Sequence, residues 1–116
     1  MMEFSHYKLE IYVPESHFKA VRAALFQVDA GHIGAYDRCL SWSPVRSCWR
    51  PLAGTRPYLG TEGALEEADE IKVEVTVTAA RLAETLAAVR AVHPYEEPVI
   101  QVIPLMLSTG EQGKSI

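Results

Sequence analysis

The feature that most constrains this chain is a repeat. "KLEIYVPESHFKAVRAAL", Lys8 to Leu25, aligns without a gap over "KVEVTVTAARLAETLAAV", Lys72 to Val89, 64 residues further along (Lys8 over Lys72). Lys8, Glu10 and Val13 recur identically as Lys72, Glu74 and Val77. Each copy opens with apolar alternation, Leu9, Ile11 and Val13 in the first and Ile71, Val73, Val75 and Val77 in the second. That is the period of a half-buried strand. Each then switches to helical spacing, through Phe18, Val21, Leu25 and Val28, and through Leu82, Leu86, Val89 and Val92. Gly31 suits the stop of the first helix and Thr78 the N-cap of the second. Pro94 ends the second, because it disfavours helical geometry at His93.

Two β-α units, each followed by a further strand, predict βαββαβ. This is the α+β, ferredoxin-like arrangement, with two helices on one face of an antiparallel sheet of order 4-1-3-2. Val99 to Leu105, rich in β-branched residues, is the predicted fourth strand. Between the units, "YDRCLSWS" and "RSCWRPL" read as a hairpin turning near Pro44-Val45, and "AGTRPYLGTEG" (Ala53 to Gly63) as a loop. Such a hairpin makes Cys39 and Cys48 diagonal neighbours, offset for a disulfide and suited to burial as small hydrophobes. It also sets Trp42 and Trp49 near its tip, where Arg46 and Arg50 complete the composition of an interface core. One domain is expected over residues 1–107, with a mobile tail over 108–116.

At 116 residues, 48% hydrophobic and 22% charged, the chain has enough apolar content for a single core. A net charge of −4 argues against a general nucleic-acid binder. The charge is segregated: four arginines and one acid from Gly31 to Thr61, then six acids and only Lys72 from Glu62 to Glu74. Two solvated faces are the simplest reading of these blocks, and pairing between them is the alternative. Two cysteines without C-x-x-C spacing predict free thiols, and no apolar run is long enough for a membrane span. With Glu3, His6, Lys8 and Glu10 interrupting any leader-like run, a cytoplasmic protein is expected.

Three stretches carry chemistry-bearing side chains. "HPYEEP", His93 to Pro98, holds an imidazole, a phenol and two carboxylates between prolines. His93, Glu96 and Glu97 suit a divalent metal, although one turn supplies too few ligands for a closed site. The alternative is a stiff connector, with Tyr95 packed at the sheet edge. "GHIG", Gly31 to Gly34, presents His32 as a ligand, a proton carrier or a loop anchor, with Asp37 placed to orient it. No serine or cysteine is placed to complete a triad. In the predicted sheet these two loops lie at opposite ends, so only an oligomer can bring His32 to His93, Glu96 and Glu97. "RPLAGTRPYLGTEG" offers Arg50 and Arg56 on a glycine-rich backbone as an anion site.

"GHIGAYDRCLSWS", "RPLAGTRPYLGTEGALEEADEIKVEV" and "HPYEEPVIQVIPL", in that order, resemble the insert domain of bacterial members of the NGG-one-interacting-factor-three-like (Nif-three-like) family. The resemblance runs from about Tyr7 to Leu105. It implies a fold similar to CutA and PII proteins, which are commonly trimeric, and a chain that looks like the insert domain standing alone. No segment matches the core domain that carries that family's two-metal centre, so the resemblance implies a fold rather than a hydrolase. Ile100 and Gln101 depart from the family's frequent tyrosine and acid. The resulting expectation is a homo-oligomeric binding or sensing module, dimer or trimer, taking a divalent metal or a small anion between subunits. A metal-assisted hydrolase and an adaptor docking on another protein are the alternatives. Interface candidates are Trp42, Trp49 and Tyr95.

Overall fold

The computed structural model describes residues 4–109. Its elements are β1 (His6–Val13), α1 (Glu15–Gln27), β2 (Leu40–Trp49), β3 (Glu66–Thr78), a 3-10 turn (Ala79–Arg81), α2 (Leu82–Val92) and β4 (Ile100–Leu105). The sheet is antiparallel throughout, in the order β2-β3-β1-β4, so the expected ferredoxin-like βαββαβ topology is present. Residues 110–116, most of the tail read as mobile, lie outside the described residues.

Alternation in the two central strands decides where the core lies. Leu9, Ile11, Val13 and Val73 have no solvent exposure, and Val75 and Val77 are nearly as buried. Phe18, Val21 and Leu25 of α1 and Val89 of α2 close over them. Each such side chain contributes roughly 1.5–3 kcal/mol by leaving water, which holds both helices on one face of the sheet. Thr85 occupies in the second unit the place that Val21 holds in the first. It is fully buried, and its hydroxyl donates to the Arg81 carbonyl at 2.7 Å, so no polar atom is stranded in the core.

The opposite sheet face shows why Lys-x-Glu recurs. β1 and β3 pair with Glu10 directly across from Glu74, Lys8 across from Thr76 and Tyr12 across from Lys72. Two carboxylates face to face repel, and each diagonal neighbour is a lysine. Lys8 pairs with Glu74 and Lys72 with Glu10 (3.5 Å), while Lys8 also reaches Glu10 at 3.2 Å. The partners hold the Lys8 ammonium above its ordinary range and the Glu74 carboxyl below its own.

The expected hairpin does not form. β2 runs unbroken through Pro44-Val45 and pairs with β3 from Leu40↔Val75 to Trp49↔Glu66. Pro44 is tolerated because β2 is an edge strand, where a missing N–H need not break the ladder. The true connection between β2 and β3 is the stretch 50–65. Two consequences follow for the cysteines. Cys39 and Cys48 are not diagonal neighbours but lie nine residues apart along extended chain, roughly 30 Å. Nor are they core residues, since Cys39 is half-buried and Cys48 exposed, both as free thiols. Trp42 is mid-strand rather than at a tip. Its ring lies 4.9 Å from that of Phe18, with the Arg22 guanidinium over both rings.

Beyond the end of β1, β3 is paired on the β2 side only, so Val45–Trp49 and Glu66–Glu70 form a two-stranded arm. Arg46 and Asp69 pair across it at 3.1 Å. That exposed pair is the sole ion pair between the basic and acidic blocks among the described residues, and it adds little stability.

Gly31 closes the α1–β2 connection. Its N–H donates to the Thr76 carbonyl at 2.8 Å, and its carbonyl accepts from Cys39 N–H at 2.9 Å. The backbone is left-handed there (φ +82°), and a Cβ would collide with the Cys39 carbonyl oxygen. Gly31→Ala is therefore expected to destabilise the fold by more than ~2 kcal/mol, combining left-handed strain with backbone displacement. Urea unfolding midpoints check this, and a loss below ~0.5 kcal/mol would show that the loop absorbs the methyl.

Candidate functional site

His93 is the anchor of the site. It follows α2 in extended geometry (φ −77°, ψ 132°), as a residue before proline must, and its N–H still donates to Val89 O. The ring is buried. Nε2 lies 2.7 Å from the Tyr12 carbonyl oxygen, and Nδ1 accepts the Tyr95 N–H at 3.2 Å. This pattern needs a neutral ring with its proton on Nε2. Burial pushes the His93 pKa down, against the opposing pull of the Tyr12 carbonyl and Glu70.

Anchored this way, the α2–β4 loop folds over the end of β1 and sets Tyr95 at the centre of an aromatic group. Its ring centroid lies 5.0 Å from that of His93 and 5.8 Å from those of Trp49 and Tyr58. Tyr58 also meets His17 of α1 edge-on, at 5.8 Å. Two hydrogen bonds tie the β2–β3 connection down beside these rings. Arg56 N–H donates to Glu96 Oε2 at 2.6 Å, and Trp49 Nε1–H donates to the Leu59 carbonyl at 3.2 Å.

Between these segments lies a cleft of ≈ 470 Å³, within the range of small-molecule sites. Tyr12, Trp49, Tyr58, Glu70 and Tyr95 belong to its lining, with Arg50, Glu96 and Glu97 as further charged groups. Glu70 is 4% exposed. The Tyr95 hydroxyl is buried without a hydrogen-bond partner. Burial first, and then the neighbouring Glu70 carboxylate, push the phenol's pKa up, although the two groups fall short of hydrogen-bond geometry.

The sequence candidates separate accordingly. Glu96, Glu97, Arg50, Trp49 and Tyr95 meet at the cleft, whereas Arg56 contributes its backbone N–H beside it. His93 lies just beneath, with both nitrogens engaged by backbone. His32 lies at the other end of the sheet, where Gly31 meets Thr76. Its partner is Asp29, with Nδ1 at 3.0 and 3.1 Å from the two carboxylate oxygens, and not Asp37 as expected. The pairing becomes possible because Asp29 takes a left-handed conformation (φ 59°) that turns the chain back after α1. Asp29 raises the His32 pKa. Among the described residues, no three His, Cys, Asp or Glu side chains are grouped so as to hold a metal ion. Sequence reasoning missed Glu70, Tyr12 and Tyr58. Nothing local marks Glu70, which continues the polar phase of Lys72 and Glu74.

A family model described as CutA1 divalent ion tolerance protein matches residues 40–111, which include every segment of the cleft but β1. This chain belongs to the CutA1 family. It is 43% identical over 101 residues to the GTP cyclohydrolase 1 type 2 homolog of Halalkalibacterium halodurans, a match covering 87% of this chain and 27% of that protein. The chain thus spans about a quarter of the length of that relative. Among solved structures, a Bacillus cereus protein related to NIF3 superposes with a TM-score of 0.80 at 32% identity, covering 96% of this chain and 28% of that one. The PII-like protein CutA of Nostoc sp. PCC 7120 superposes with a TM-score of 0.65 at 16% identity, over 95% of this chain and 86% of that one. The fold is CutA- and PII-like, as the three sequence motifs implied.

The two shifted histidines act on stability in opposite senses. His93 stays neutral while the unfolded chain takes up a proton near 6.5, so its contribution is full above that pH and lost as pH falls towards its lower folded value. His32 contributes below 6.5, and that contribution is lost as pH rises through its raised folded value. NMR titration is expected to find His93 below and His32 above 6.5. Thermal midpoints of His32→Ala should fall more steeply than wild type between pH 7 and pH 5. Coincident titration of the two rings would show that the buried arrangement at His93 does not persist in solution.

Proposed function

We propose that this protein is a homo-oligomeric binding module of the CutA type, with its ligand site in the cleft between the β2–β3 and α2–β4 connections. The observation that carries the reading is the cleft itself, concave and aromatic and closed by a connection held through hydrogen bonds rather than left as a loose loop. Self-association is supported by β4. This edge strand carries no charged residue, only Pro104 blunts it, and Val99, Val102, Ile103 and Met106 are exposed along it. No helix among the described residues is long and apolar enough to cross a membrane.

A divalent metal held by His32, His93, Glu96 and Glu97 would need more than a neighbouring subunit. It would also have to free a His93 nitrogen from backbone and loosen Glu96 from Arg56 N–H. The aromatic cleft needs no such rearrangement, so it is the better-supported binding site. Cyclohydrolase chemistry, named for relatives of which this chain matches about a quarter, is not carried over.

Light scattering coupled to size-exclusion chromatography tests the assembly. A single multimer at about 10 µM is the expected result, with Ile103→Lys shifting it towards monomer through a charge buried in an apolar contact. A wild-type chain that stays monomeric at that concentration would remove the oligomeric half of the reading.

A further inference from the structure

Glu70 is the most informative group that the fold itself does not use. It extends from the part of β3 just beyond the end of β1, at 4% exposure, in the wall of the cleft. Among the described residues, no ion pair reaches its carboxylate. The nearby Tyr95 hydroxyl is itself buried and unpartnered. A carboxylate with so little of its surface in water and no countercharge gains from any donor that reaches it. Its counterparts on the same strand face, Glu74 and Glu10, both have lysines. Glu70 has a cavity instead.

The remaining lining specifies what fits. Trp49, Tyr58 and Tyr95 bring three rings together, with Tyr12 as a fourth, and ring faces attract cations. Glu96 and Glu97 add negative charge, against the single guanidinium of Arg50. An anion would meet the unpaired Glu70 in a poorly solvated wall, which favours a cation here over the anion that Arg50 and Arg56 suggest. Resting on the reading of the cleft as the ligand site, we propose that it takes a small organic ammonium cation, with the charged head against Glu70 and Tyr95 and the alkyl groups among the rings.

The test uses the full chain carrying Trp42→Phe, so that Trp49 alone reports fluorescence. Tetramethylammonium and butylammonium chloride are titrated at constant ionic strength and neutral pH, with sodium chloride and inorganic phosphate in parallel. The expected result is a saturable Trp49 response to the ammonium salts in the millimolar range typical of small ligands. Glu70→Gln should weaken it ~10-fold or more while leaving the ligand-free thermal midpoint unchanged or higher, because a buried charge has been removed. A saturable response to phosphate, equal binding by Glu70→Gln, or no response to either ammonium salt would overturn the proposal. So would binding only in the Ile103→Lys variant, which would mean that a neighbouring subunit's side chain fills the cleft. Light scattering on the same samples reads assembly separately, so loss of the oligomer and loss of cation binding are told apart.

Discussion

The hydrogen bond between His93 Nε2–H and the Tyr12 carbonyl is the contact on which the functional end of this molecule depends. It joins the exit of α2 to the end of β1, and Pro94 and the Tyr95 N–H complete a turn with little freedom. Tyr95 is therefore held where Trp49 from one arm strand and Tyr58 from the connection can reach it. If the imidazole were charged, Nδ1–H would oppose the Tyr95 N–H, and the same burial that shields the ring resists that charge. Packing and protonation state support each other at this point.

Helix-facing and open sheet faces use different physics. Under the helices, apolar side chains of the central strands leave water almost completely. On the open face, four half-buried charges arranged as diagonal pairs keep two directly opposed carboxylates compatible with pairing. Where β1 ends, that compensation ends too, and the strand surface becomes the wall of a cleft. The transition from a balanced to an unbalanced carboxylate, Glu74 to Glu70, takes place within four residues of one strand.

Much of the architecture was legible because it rests on periodicity. The strand alternation, both helical stripes and the topology follow from patterns repeated 64 residues apart (Lys8 over Lys72). The course of β2 was not legible, since Pro44 has the same composition signal in a turn as on an outer strand, and only a sheet edge distinguishes them. At the site, "HPYEEP" left a metal-binding turn and a stiff connector both open, and the backbone hydrogen bonds of His93 show only its connecting role. The burial of Glu70 depends on what folds over it from other segments, and the partner of His32 depends on a left-handed residue at Asp29. Neither is encoded within a few positions of the residue concerned.

The Lys-x-Glu pattern has a consequence for the β-α unit itself. In this antiparallel register, the lysine of each strand answers the glutamate of the other, so the two halves satisfy one another by the same rule read in both directions. A strand with that pattern is its own complement. Laid against a second copy of itself, the first unit would find the same diagonal charges and apolar face that the second unit now supplies, so the middle of this sheet has the logic of a two-fold dimer written into one chain.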